Sequence, residues 1–270
     1  IDGQHKVHDP LGMHGVRLEV QVHMITGAIP SIQNLIRCCE MAGVKVEDII
    51  LEQIASAQSV LSEDERQIGV AILDIGGGTS DFAIYQQDSV MHTKVIPIAG
   101  NLFTNDIAAC LRTTIKSAEQ AKKLLADRSL DDTITLEMIQ GNQAQDFKVS
   151  DIKEIVDARA SELLMLIRQE IDKNKLRSFM GSGLVLTGGG SMLEGLEQLA
   201  HEIIQVPVRL GKPTITSPFN ETLDSPIFAT GYGLLLYVIR KDSLPPIDYL
   251  TEPLMTRIFW RMKSWVFDFF

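Results

Sequence analysis

Apolar positions along the chain mark a succession of short buried elements rather than one repeated unit. Val16-Arg17-Leu18-Glu19-Val20-Gln21-Val22-His23 alternates apolar and polar side chains, the period of a half-buried strand. Asp9-Pro10-Leu11-Gly12 ahead of it reads as a turn. Ser31 is placed to cap a helix running to Ala42, with Ile32, Leu35, Ile36 and Cys39 on one face and Gly43 as its stop. Val46 to Ile54 reads as a strand, Ala55 to Leu61 as a small-residue helix, and Ser62 to Glu65 as an acidic surface turn.

The run from Ile68 to Ile75 is almost wholly apolar, as a strand covered on both faces must be. Gly76-Gly77-Gly78 interrupts it, and Asp81 to Tyr85 resumes as strand, which makes the glycines a hairpin turn. Asn105 to Leu111 and Ser117 to Ala126 read as helices, and Ile134 to Gly141 and Asp146 to Val149 as short strands. Ser150 precedes a long helix to about Lys175, in which Ile152, Ile155, Val156, Leu163, Leu166, Ile167 and Ile171 recur at helical spacing. A second buried strand, Gly183 to Thr187, ends in Gly188-Gly189-Gly190 and is followed by a helix from about Met192 to Ile204. A strand from Val206 to Leu210, an apolar helix from Thr230 to Ile239 and a Leu244-Pro245-Pro246 linker complete the body. Strands alternating with helices predict an α/β fold.

Composition is that of an ordinary globular chain, 45% hydrophobic and 22% charged, with a net charge of −10. An acidic body argues against general nucleic-acid binding. Three cysteines without a CxxC pair point to a reducing compartment. No signal peptide and no run of 18 apolar residues is read. The start at Ile1, already inside a domain by its pattern, reads as a piece of a longer protein.

Chemistry concentrates at the two glycine turns. In Leu73-Asp74-Ile75-Gly76-Gly77-Gly78-Thr79-Ser80-Asp81, three glycines let backbone N–H groups approach a phosphate unobstructed, Thr79 adds a hydroxyl donor, and Asp74 is placed to hold Mg²⁺ directly or through water. A tight hairpin with no ligand is the bland alternative. Leu186-Thr187-Gly188-Gly189-Gly190-Ser191, opening a helix, is a second anion-compatible turn, weak alone and stronger as one of a pair.

Together these residues resemble the actin, heat-shock ATPase and sugar-kinase superfamily, whose second phosphate loop reads D-x-G-G-G-T-x-D, as residues 74–81 do here. The resemblance implies an actin-like (ribonuclease H-like) ATPase fold, second lobe plus the end of the first, with ATP and Mg²⁺ as cofactors. Gly188, Gly189 and Gly190 match the adenosine loop; Glu119 and Lys122 match a helix that meets ribose and adenine; Ala55–Val60 and Ala229–Leu234 look like the helices connecting the lobes. A Glu-x-x-Lys pair is also common helix-surface charge. The superfamily's first phosphate loop, Asp-x-Gly-Thr, is missing and is expected upstream of Ile1.

Within the superfamily, Val95 to Asn101 with Thr104-Asn105-Asp106-Ile107, and the Gly15 to Thr26 segment, look like the FtsA family of bacterial cell-division proteins. That implies residues 1–28 as the end of the family-specific subdomain, 29–62 as the end of the first-lobe core, 63–108 and 181–240 as second-lobe core, and 109–180 as the small second-lobe subdomain. Residues 241–252 are then a linker and 253–270 a membrane-targeting amphipathic helix.

The tail supports this on its own terms. Stepped at about 100° per residue from Leu254, the side chains of Ile258, Phe259, Met262, Trp265 and Phe269 fall within one arc of roughly 160°. Arg257 and Arg261 lie opposite, and residues 254–270 carry a net +2, as a helix lying in the lipid interface requires. A helix docked on the protein's own core is the alternative. The implied role is a nucleotide-dependent adaptor, with at most slow ATP hydrolysis. It self-associates into filaments, binds the C-terminal peptide of FtsZ and later division proteins, and anchors FtsZ at the cytoplasmic face of the inner membrane at the septum. Arg159, with Glu162, is the expected peptide contact on the helix from Asp151; an i, i+3 surface pair is the competing reading. A metabolite or sugar kinase of the same fold is the alternative function, and it leaves the tail without a purpose.

Overall fold

The computed structural model describes residues 1–3, 7, 10, 12–20, 22–140, 143–214 and 223–243. The proposed membrane helix and the proline linker lie outside the described residues.

The centre is a five-stranded sheet in the order β3-β2-β1-β6-β7, built from β1 (Val70–Ile75), β2 (Ser80–Gln86), β3 (Ser89–Ile96), β6 (Leu184–Thr187) and β7 (Val208–Leu210). β1, β2 and β3 form an antiparallel meander, whereas β6 runs parallel to β1 and β7 parallel to β6. The sheet is covered on both faces, which explains the unbroken apolar runs of β1 and β6. Side-chain alternation then divides each strand between two layers. Leu73, Ile75, Phe82, Ile84 and Leu186 face a large cluster with Phe103, Ile107, Leu163, Leu164 and Ile167. Val70, Ile72, Ala83 and Val185 face a smaller cluster with Ala57, Val60 and Ala229. Truncating a fully buried ring such as Phe82 costs about 3–5 kcal/mol on this account.

The large cluster is built by α4 (Gly100–Leu111), α5 (Ile115–Leu124), α6 (Val149–Lys173) and α7 (Leu196–Ile204). The hairpin of β4 (Thr133–Glu137) and β5 (Ala144–Lys148) stands beside α5 and α6 as a separate two-stranded sheet. The smaller cluster is covered by α2 (Glu52–Val60) and α8 (Ala229–Ser243), which cross closely. A Cβ on Gly233 would fall into the Ala55 carbonyl, so glycine alone permits this approach.

Several expectations change. The described residues of the Val16 to His23 stretch, 16–20 and 22–23, form no strand and their apolar side chains are exposed, because alternation makes a strand only where a neighbour completes the ladder, and no described residue does so. Helix α1 (Ile29–Met41) starts two residues before Ser31, with Pro30 preset in its first turn and Ala28 at the N-cap. Val46 to Leu51 is irregular, and α2 begins at Glu52. The acidic stretch at 62–65 starts α3 (Glu63–Ile68) through a capping box between Ser62 and Glu65. β3 went unread, and α4 begins at Gly100 rather than Asn105. Ser150 lies inside α6 and does not cap it. The second glycine turn opens a short 3₁₀ turn, Gly189–Met192; the α-helix follows from Leu196.

Candidate functional site

Parallel β1 and β6 end side by side, Asp74 in register with Thr187, so both glycine turns lie at the carboxyl edge of the sheet. That edge is where open α/β sheets receive ligands.

In the first turn, the Gly76 N–H donates to the Thr79 carbonyl at 3.0 Å. The start of α4 is tied to it: Gly100 N–H donates to the Gly76 carbonyl (3.0 Å) and Asn101 N–H to that of Gly77 (2.7 Å). Gly77 and Gly78 are exposed, neither has a left-handed φ, and a Cβ on Gly78 would meet nothing within 4 Å. On Gly77 it would meet only Asn101, at 3.8 Å. Neither packing nor backbone conformation requires glycine at these two positions.

The second turn is different. Gly188 has φ +79°, and a Cβ there would strike the Asp74 carboxylate and lie 2.6 Å from the Ile75 carbonyl. A Cβ on Gly190 would collide with the Ile75 side chain, while on Gly189 it would reach Ile227 at an ordinary 3.5 Å. Gly188 and Gly190 are thus demanded by the packing of the turn against β1.

Asp74 is almost fully buried, and its Oδ2 accepts hydrogen bonds from Ser56 of α2 and from Thr230 of α8 at 3.0 Å. The two hydroxyls also meet each other at 2.9 Å, and Ser59 Oγ donates to the Ala229 carbonyl at 2.7 Å. Asp74 therefore joins the sheet edge to both crossing helices. Burial raises its pKa, against the opposing pull of the Ser56 and Thr230 hydroxyls. Burial also raises that of Asp81, with the Thr79 hydroxyl (2.9 Å) opposing and the Asp74 charge adding. Glu52, at the start of α2, is raised by burial, then by the Asp81 and Asp74 charges. The Asp74 charge thus disfavours ionisation of Asp81, and both disfavour that of Glu52, an arrangement that favours a nearby cation. No group of three or more such ligands closes on a single point among the described residues.

Glu119 and Lys122 come to the same edge through α4. Lys122 Nζ donates to the Gly100 carbonyl (2.9 Å), to Thr104 Oγ1 (2.8 Å) and to Glu119 Oε2 (2.7 Å). Burial acts to raise the Glu119 pKa, but the hydrogen bonds from Lys122 and Thr104 outweigh it and hold the carboxyl below its ordinary value.

Arg159 stands apart from this edge. Its guanidinium forks onto Asp106 of α4, at 2.6 and 3.0 Å, and also pairs with Glu162. Sequence reading missed Asp106 as a partner because the contact spans 53 residues. Ser56, Thr230 and Glu52 were missed as well. The first two are small polar residues inside apolar helical runs, and Glu52 sits in a stretch read as strand.

A sheet of this order with paired glycine turns at its carboxyl edge defines an actin-like ATPase fold. MreB5 of Spiroplasma citri bound to ADP shares it, with a TM-score of 0.64 and 21% sequence identity over 80% of this chain and 68% of that one. The chain belongs to the FtsA family: the model described as cell division protein FtsA matches residues 71–233, and residues 1–26 match the SHS2 domain inserted in FTSA. Cell division protein FtsA of Pseudomonas aeruginosa is 40% identical over 277 residues, covering 98% of this chain and 66% of that protein. Its counterpart in Neisseria meningitidis serogroup B is 39% identical over 241 residues, covering 87% and 58%. The chain thus spans less than two thirds of the length of these curated relatives.

Proposed function

We propose that the chain is the nucleotide-binding and membrane-attaching part of a division-site adaptor. It binds ATP with Mg²⁺, assembles with copies of itself, and holds FtsZ and later division proteins at the cytoplasmic face of the inner membrane. The observation that carries the nucleotide reading is the open turn at Gly77 and Gly78, where glycine serves neither packing nor φ and is left to serve the close approach of an external group. Backbone N–H groups of this turn suit phosphate oxygens. The Thr79 hydroxyl would exchange its Asp81 bond for one to phosphate. Gly188–Gly190 and the Glu119–Lys122 pair flank the turn as the adenosine side.

The cation fits through charge more than through direct ligation. Both hydroxyl bonds on Asp74 Oδ2 are committed to α2 and α8, so the acids Glu52, Asp74 and Asp81 would hold Mg²⁺ through its retained waters. In this reading closure of the lobes is reported through Asp74, which touches the turn, α2 and α8 together. Hydrolysis in this reading is at most slow, and the nucleotide serves assembly rather than a metabolic reaction.

Residues 253–270 supply the lipid contact, reversible for one helix and firm when several are held in one polymer. The FtsZ C-terminal peptide docks on α6. There Arg159 takes part only by exchanging Asp106 and Glu162 for acidic groups of the peptide. Calorimetric titration of ATP with Mg²⁺ tests the site. Micromolar-range binding that Gly77→Val abolishes supports it, and equal heats in both proteins refute it.

A further inference from the structure

The start of α4 faces the same space as the open glycine turn. Gly100 N–H donates to the Gly76 carbonyl at 3.0 Å, and Asn101 N–H donates to the Gly77 carbonyl at 2.7 Å. A Cβ on Gly100 would lie 3.2 Å from the Gly76 carbonyl oxygen and 3.6 Å from Gly77 Cα, so glycine lets helix and turn come this close. From the other side, the Gly100 carbonyl accepts from Lys122 Nζ at 2.9 Å and from Thr104 Oγ1 at 3.1 Å. The backbone at Asn101 is therefore fixed against the turn.

Its side chain is not so committed. Asn101 is exposed, and its Oδ1 and Nδ2 lie 3.8 and 3.9 Å from where a Cβ on Gly77 would stand. Among the described residues no hydrogen bond engages this amide. A fixed backbone therefore presents an unpartnered amide, with two N–H donors, to the space that Gly77 leaves bare.

The helix end favours an anion in that space. α4 has 12 residues, no acidic residue in its first turn, and an N-cap, Ala99, that supplies no side-chain bond. The neighbouring helices are finished differently. α3 opens with a capping box and three acids, and α5 with the Thr114 hydroxyl on Ser117 N–H. The positive end of the α4 dipole is thus left without an acid or a cap where it meets the turn.

We propose that Asn101 is a specificity-determining residue of the nucleotide site. Its side-chain amide donates to the phosphate chain lying over Gly77 and Gly78, so phosphate is gripped by α4 as well as by the turn. Asparagine suits this place because it donates without adding charge. Aspartate would serve the helix end better and the phosphate worse, being acceptor-only and negative. The inference rests on the nucleotide reading of the turn and adds the side chain that separates phosphorylated from unphosphorylated nucleoside.

Calorimetric titration of the full chain with ATP and Mg²⁺, and separately with adenosine, tests it. Asn101→Ala should weaken ATP binding about tenfold, the effect of losing one hydrogen bond to a charged group. Asn101→Asp should weaken it further, because repulsion replaces the bond. Adenosine should bind all three proteins alike. The thermal melt of Asn101→Asp should equal or exceed that of the parent, since an acid in the first turn complements the helix dipole. Asn101→Ser takes its place if it melts early. A merely structural role would lower the melt and weaken ATP and adenosine together. ATP bound equally by parent and variants, or adenosine weakened as much as ATP, overturns the role of Asn101 and leaves the nucleotide site standing. A parent chain that fails to bind ATP overturns the site and the inference together.

Discussion

The two glycine turns look alike in sequence and should fail in opposite ways. In Gly188→Ala, the new Cβ meets the Asp74 carboxylate and the Ile75 carbonyl, both on the buried end of β1. A left-handed φ with a Cβ costs about 1–2 kcal/mol. Forcing a methyl into packed surroundings adds about 1–3 kcal/mol. Because these neighbours are backbone and a doubly hydrogen-bonded carboxylate, neither yields easily, and the loss is about 2–5 kcal/mol in all. For a chain of this size that lowers Tm by about 4–20 °C. In Gly77→Val, the Cβ meets only Asn101 at an ordinary distance and the fold loses little, about 1 kcal/mol at most, while the branched side chain fills the space proposed for phosphate. Thermal melts of both variants, alongside calorimetric titration with ATP, separate the two. The reasoning is refuted if Gly188→Ala melts with the parent protein, or if Gly77→Val binds ATP as the parent does.

Arg159→Glu removes the fork on Asp106 and sets a third carboxylate beside Asp106 and Glu162. With these groups about a quarter to half exposed, the cost is about 1–2 kcal/mol, read by urea denaturation, with ATP binding unchanged. The folded-state pKa values of Asp74, Asp81 and Glu52 are raised, so the folded chain holds protons there that the unfolded chain has released. Stability should therefore fall as pH rises from the ordinary carboxylate value through the raised ones, and Asp81→Asn should flatten that slope in denaturant midpoints. Glu119 acts oppositely and below that range: its stabilising contribution is present above the ordinary carboxylate value and is lost as pH falls through its lowered one. Replacing Cys38 and Cys39 together by Ala should leave nucleotide and lipid binding unchanged in the same assays, since α1 buries none of its side chains.

What could be read from the sequence follows from which signals are local. β1, β2, β6 and the length of α6 announce themselves through unbroken apolar runs or helical spacing, and the glycine turns through composition. Boundaries set by tertiary contact did not. α4 begins at Gly100 because its first N–H groups bond the distant glycine turn, and nothing between residues 97 and 104 signals that. Val16 to His23 has the pattern of a strand but no ladder partner among the described residues, and Val46 to Leu51 has the composition of one. At the site, Gly188 was legible as glycine but not as a packing requirement, which depends on how β1 and β6 end together. The clamp of Ser56, Asp74 and Thr230 joins residues 156 positions apart, beyond any spacing rule. Arg159 shows the same limit: its neighbour Glu162 was visible at three residues, and its stronger partner Asp106 was not.

Under the proposed function this chain would carry FtsZ to lipid, and flotation with vesicles of mixed zwitterionic and anionic lipid tests that directly. A labelled FtsZ C-terminal peptide should rise with the vesicles when the full chain and ATP are present, and stay at the bottom with a chain ending at residue 252. Peptide that floats equally well without residues 253–270, or that fails to float with the full chain bound to the vesicles, would contradict the account.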